Sequence, residues 1–318
     1  MDRILQAMEQ ETSGSSGSDD PFLLNASEDE SGLVEPSPKV PARLSKLEQL
    51  AVEYDATTEV LWPFMRPRGR PAFNTTLLED FVQWQQLIAG YFGAGKVPLR
   101  YLVLGSRAPG VFCYGGDLDL FQRLIREQNR QGLVDYGHRC CEILHRNLNS
   151  LGLPILTIGL VQGAALGGGF ECLLSFDYVI AERDATFGLP EIMFGLFPGM
   201  GAHSLLSRKI GTAMANRLIV SSRTYSAEEM FDLGLVHELA ESGEGLEACS
   251  NFIARTRRRH TGLVNASKAM KLACGVSIEE LKRITELWAD TALQLREQDL
   301  RVMSRLVAAQ GRVTERSQ

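Results

Sequence analysis

Three consecutive glycines, Gly167-Gly168-Gly169, stand between the apolar run Ile155–Val161 and the apolar segment Phe170-Glu171-Cys172-Leu173-Leu174. The run reads as a buried strand and the segment as a helix, which makes the glycines a strand–turn–helix junction. Glycine weakens a helix by about 0.8–1 kcal/mol per residue relative to alanine. A chain that accepts this three times over needs bare backbone there, either for tight helix–sheet packing or for close approach of N–H groups to a ligand atom. A dinucleotide fingerprint is the other candidate for such a junction, but GxGxxG is absent.

A second loop, Val111-Phe112-Cys113-Tyr114-Gly115-Gly116-Asp117-Leu118, also runs from a strand towards a helix, with Asp117 at the N-cap position. Alone it reads equally as a plain turn. Paired with Gly168, an exposed amide at Gly116 gives two backbone donors for one carbonyl oxygen, each worth about 2.7–4 kcal/mol to a developing oxyanion. Glu171 sits among Phe170, Cys172, Leu173 and Leu174, and Glu191 follows Pro190 ahead of Ile192, Met193 and Phe194. Carboxylates in apolar company are expected to be buried with raised pKa values, as a neutral-pH acid or base requires. A structural ion pair is the plain alternative for either one.

Strand-like and helical segments alternate from about residue 44, which predicts an α/β fold. Strands are expected at Thr57–Phe64, Tyr101–Leu104, Ile155–Val161 and Tyr178–Ala181, and helices over 77–88 and 118–148. After residue 200 the pattern is mostly helical. Ser226 and Ser277 each open a capping box, Gly234-Leu235-Val236 leads into a brief strand, and helices are expected over 246–260, 263–273 and 278–309. The expected organisation is a disordered acidic extension over 1–42, an α/β core over 43–245 and a helical C-terminal region over 246–318. Within the extension, 2–10 could form a short helix and Phe22-Leu23-Leu24 could dock.

Residues 1–35 carry nine acids and only Arg3, leaving 32 basic and 30 acidic residues in the rest, so the formal charge of −6 describes a tail on a near-neutral body. A cationic nucleic-acid surface is not indicated. No run is long and apolar enough for a membrane span, and no signal peptide is recognisable. The six cysteines form no CxxC pair and read as reduced thiols, hence a cytoplasmic setting, and no histidine spacing suggests zinc. Gly90–Lys96 spells GxxxxGK, but Val97 stands where a Ser or Thr would hold magnesium, and a GxSxG nucleophile elbow is absent. The basic cluster Arg255, Arg257, Arg258, Arg259 and His260 reads as a complement to a helix dipole, or as a contact for phosphate or an acidic carrier protein.

Together these motifs resemble the crotonase (enoyl-CoA hydratase/isomerase) superfamily over about residues 50–310. Arg70-Pro71-Ala72-Phe73-Asn74 resembles its early loop near the thioester carrier, and Gly115-Gly116-Asp117-Leu118 its first oxyanion loop. Gln162-Gly163 through Glu171 to Pro190-Glu191 and Pro198-Gly199 resembles the second loop and both acid/base positions. Within the superfamily, Gly188 to Ala202 looks most like the diffusible-signal-factor synthases of bacterial quorum sensing.

The resemblance implies a spiral of ββα units with a helical C-terminal trimerisation region, in a homotrimer or hexamer. It implies no cofactor beyond the carrier of the substrate, acyl carrier protein phosphopantetheine or coenzyme A. The implied activity is dehydration of 3-hydroxyacyl-carrier protein to a cis-2-enoyl thioester, then hydrolysis to a free cis-2-unsaturated fatty acid. The alternative is an enoyl-CoA hydratase or isomerase without thioesterase activity. In either case Gly116 and Gly168 would hold the carbonyl, Glu191 would remove the α-proton and Glu171 would protonate the departing hydroxyl, with these two roles open to exchange. Leu166, Gly167, Met200, Trp288 and Leu306 are the candidate acyl-pocket residues. A sensor protein with a receiver or comparable module is the implied regulatory partner.

Overall fold

The computed structural model describes residues 44–95 and 97–316. The acidic extension, its helix at 2–10 and the Phe22-Leu23-Leu24 segment lie outside them.

Among the described residues, ten strands form two sheets. A hairpin of β1 (Leu50–Asp55) and β2 (Val60–Met65) starts the larger sheet. The single strand expected at Thr57–Phe64 is corrected here. Asp55 accepts from the Thr57 and Thr58 amides, so Thr57 to Glu59 is a turn and the strand begins only at Val60. Helix α1 (Thr75–Gly93), capped by Asn74, leads to β3 (Tyr101–Ser106) and the short β4 (Val111–Cys113). Helices α2 (Leu118–Arg126) and α3 (Arg130–Leu148) replace the continuous helix expected over 118–148. The break lies at Gln128, whose φ of 51° no helix tolerates, and Asn129 recaps the chain through the Gly132 amide at 2.9 Å.

The next strands repeat one pattern: β5 (Leu156–Val161) then β6 (Ala164–Leu166), helix α4 (Gly168–Leu173), and β7 (Tyr178–Glu182) then β8 (Thr186–Gly188). In each unit the first strand joins the large sheet and the second the small one. Helices α5 (Ala202–Ile210) and α6 (Thr212–Ser221), β9 (Thr224–Ser226), α7 (Ala227–Asp232) and β10 (Glu238–Ala240) follow. The large sheet has order β1-β2-β3-β5-β7-β10, parallel except for its first pair, and the small one has order β4-β6-β8-β9. This is the spiral of ββα units that the resemblance implied.

Helices α8 (Gly245–Thr256), α9 (His260–Ala273), α10 (Ile278–Ala292) and α11 (Glu297–Arg316) complete the chain. The helix expected over 278–309 is thus two, separated at Leu293–Arg296. Ser226 makes a full capping box with Glu229. Ser277 caps α10 through the Glu280 amide, while the Glu280 carboxylate turns away to Arg208. Alternation along the strands splits the apolar residues between two faces. Leu61, Leu102, Leu104 and Val161 face the main core, which also takes in Leu281, Trp288 and Leu306 from the C-terminal helices. Val60, Tyr101, Val103 and Ile158 face the layer of α8 and α9.

Candidate active site

Strands β4 and β6 are neighbours in the small sheet, so the loops at their C-terminal ends emerge side by side. The first loop is tied down by Phe73 N–H to Gly115 O at 2.7 Å and Tyr114 N–H to Pro71 O at 2.7 Å. The Tyr136 hydroxyl donates to Phe73 O at 2.6 Å and accepts from Asp117 N–H at 3.2 Å. Gly115 has φ +89°, and a methyl there would lie 2.6 Å from Gly168 N and 2.8 Å from Leu166 O. At Gly169 a methyl would lie 2.2 Å from Cys113 O. Both glycine readings therefore hold at once: the backbones pack too closely for any side chain, and that packing sets Gly116 N beside Gly168. Among the described residues neither amide is given a hydrogen-bond acceptor. Two adjacent unused donors are the elements of an oxyanion site.

Glu171 is in the first turn of α4 and is 2% exposed. Its Oε1 accepts from Met200 N–H at 2.8 Å and Ala202 N–H at 2.9 Å, both from the turn after Pro198. Burial pushes its carboxyl up to about 7, against the opposing pull of the Ala202, Met200 and Gly201 amides. Glu191 opens a 3-10 turn after Pro190, and a methyl on Gly167 would sit 2.7 Å from its Oε1. The residue keeps some exposed surface, but Oε2 is enclosed and has no hydrogen-bond partner among the described residues. Burial, then the Glu171 charge, push this carboxyl well above the ordinary carboxylate range. Both carboxyls face one cleft of about 610 Å³, mouth included, which Gly116, Gly167, Gly168, Met200, Trp288 and Leu306 also line.

The enoyl-CoA hydratase/isomerase family pattern matches residues 63–299. The chain belongs to that family. It is 29% identical over 228 residues to an enoyl-CoA isomerase/hydratase of Mycosarcoma maydis, covering 70% of this chain and 80% of that one. It is 31% identical over 193 residues to the mitochondrial methylglutaconyl-CoA hydratase of Rattus norvegicus, across 57% of this chain and 59% of that one, so it spans under two thirds of that relative. Among solved structures, an enoyl-CoA hydratase from Bacillus halodurans superposes with a TM-score of 0.67 at 23% identity, over 81% of this chain and all of that one, a likeness of fold.

In this enoyl-CoA hydratase/isomerase family member, every candidate catalytic, oxyanion and acyl-pocket residue from the sequence lines the cleft except Leu166. That side chain packs with Val111, Tyr114 and Ala164 inside the small sheet, because residues alternate along β6 and only its carbonyl faces the Gly115 loop. Trp288 and Leu306 arrive on different helices, α10 and α11. Arg70 points inward, 3.6 Å from Asp117 and hydrogen-bonded to Gln310 at 3.0 Å, so it braces the first loop. The Arg255–His260 cluster lies on the α8–α9 layer, across the large sheet from the glutamates.

Sequence reasoning missed two positioning residues. Tyr136 holds the first loop, and Thr285 Oγ1 donates to Gly199 O at 2.7 Å, fixing the turn that serves Glu171. Gly137 marked the second contact in the sequence, since a methyl there would lie 2.2 Å from Thr285 Cγ2 where α3 and α10 cross.

Proposed function

We propose that this chain catalyses reversible addition of water across the C2–C3 double bond of a 2-enoyl thioester carried by coenzyme A. The observation that carries the reading is the unequal setting of two carboxyls on one cleft. The Ala202, Met200 and Gly201 amides favour the charged form of Glu171, whereas Glu191 has only its own amide and is pushed to hold its proton. At neutral pH such a pair offers one base and one acid.

In hydration, the thioester oxygen lies between the Gly116 and Gly168 amides. Glu171 takes a proton from water, and the oxygen of that water bonds to C3. The C2–C3 π electrons move towards the carbonyl oxygen, where the two amides stabilise the enolate. Glu191 then gives its proton to C2. Run backwards, these steps dehydrate a 3-hydroxyacyl-CoA, with the residue roles that the resemblance implied. Purified protein incubated with crotonyl-CoA tests the reading: loss of enoyl absorbance with formation of 3-hydroxybutyryl-CoA supports it, and no turnover of any 2-enoyl or 3-hydroxyacyl thioester sinks it.

A second reading, signal synthesis, is favoured by one feature. The Gly188–Ala202 segment, which resembles the diffusible-signal-factor synthases, supplies the amides on Glu171 and the Met200 side chain in the cleft. It would add hydrolysis of a cis-2-enoyl thioester on acyl carrier protein, under a sensor partner. Mass spectrometry after incubation with a 3-hydroxyacyl-carrier protein separates the two, since only the second releases a free cis-2-enoic acid. Self-association belongs to either reading. Exposed Met270 and Leu272 on α9 and Leu287 on α10 support it, and light scattering of the purified chain checks it.

A further inference from the structure

A second, narrower chamber lies behind the first, between α1, α3 and the end of α4. Met200 lines both. Its Sδ lies 2.7 Å from where a methyl on Gly168 would go and its N–H holds Glu171, so this one residue touches the second glycine loop, the acid/base pair and both cavities. The side chain is half-buried and unbranched, a flexible partition rather than a wall.

The chamber is apolar near Met200, with Phe73, Leu104, Cys140 and Cys172, and polar at its far end. There Trp84 Nε1, Gln85 Oε1 and Asn147 Oδ1 have no hydrogen-bond partner among the described residues, although the three residues are 1%, 2% and 5% exposed. The other ends of both amides are committed, Gln85 Nε2 to Ile143 O at 2.9 Å and Asn147 Nδ2 to Ser175 Oγ at 2.8 Å, which leaves the two oxygens as the unused ends. Gln85 also lines a cleft on the outer surface with His145, Arg146 and Asn149, so this end points away from the glutamates. One donor and two acceptors left bare cost about 1–3 kcal/mol each. A methyl group relieves none of that cost. A hydroxyl, which donates and accepts, suits it.

We propose that this chamber is a distal acyl subsite, entered past Met200, whose polar end selects acyl chains carrying a hydroxyl at their far end over methyl-ended chains of equal length. The inference rests on the acyl-thioester reading above, and its test separates the two. Binding of unreactive saturated acyl-CoAs, from butyryl to dodecanoyl and each beside its ω-hydroxy counterpart, is measured by calorimetry and needs no turnover. The expected result is equal affinity for short chains and, beyond a threshold length, about tenfold tighter binding of the hydroxyl-ended partner, as one added hydrogen bond gives. Gln85→Met and Asn147→Leu should each shrink that ratio towards one while short-chain binding holds. Equal affinity within every pair overturns the subsite, and points to ordered water on the three polar atoms. Failure of crotonyl-CoA turnover with the length-dependent ratio intact would overturn the reaction assignment and leave the subsite standing.

Discussion

At the residue scale the unequal carboxyls give the sharpest consequences. Glu171→Gln and Glu191→Gln should each lower kcat by about 10²–10⁴-fold in the crotonyl-CoA assay. Hydration needs Glu171 ionised, so kcat/KM should fall as pH drops through about 7. It also needs Glu191 protonated, so the rate should fall again at higher pH, giving a bell whose limbs belong to the pair. Along the acidic limb, stability should move the opposite way from activity. A carboxyl whose folded pKa is raised binds its proton more tightly folded than unfolded, so it weakens the fold above the unfolded pKa and ceases to do so in acid. Glu191→Gln should therefore raise Tm by about 2–4 °C near neutrality, with the gain fading towards pH 4.5 in thermal scans. Both glutamates and both amide loops were legible in the sequence, because glycine and glutamate are costly choices in apolar segments. The direction of Leu166 was not, since a three-residue strand has too little alternation to assign its faces.

Among the elements, the turn from Pro198 to Ala202 matters most, because it delivers two amides to Glu171 and is itself held by Thr285 on α10. Thr285→Val removes that tie with little change of volume. We expect a loss of about 1 kcal/mol, or roughly 2–4 °C in Tm, and an upward move of the acidic limb of the pH profile as the amides loosen their hold on the carboxylate. A structural role alone would leave that limb in place. Ser226→Ala, at a capping box away from the cleft, should cost about 1 kcal/mol in urea unfolding and leave kcat unchanged. Long periodic helices and buried strands could be read from the chain. The short strands β4, β6 and β8 could not, because three residues carry no period, and the breaks at Gln128 and Leu293–Arg296 have neither proline nor glycine to announce them.

For the whole molecule, the C-terminal helices are part of the cleft. Leu300, Met303, Leu306 and Ala309 of α11 are buried against the core, and fully burying a large apolar side chain contributes about 1.5–3 kcal/mol. Their sum is a large share of the roughly 5–15 kcal/mol that holds a domain together. A chain ending at Ala292 should therefore unfold at markedly lower urea and lack turnover, as denaturation curves and the crotonyl-CoA assay would show. That these helices return to the glutamates was hinted at only by the candidate residues Trp288 and Leu306, because packing between elements far apart in sequence leaves no periodic trace. The Thr285 tie also sets an order of events during synthesis. The segment that steadies the base follows both acids by some ninety residues or more, so a nascent chain that has not yet reached α10 carries both acids but cannot poise them.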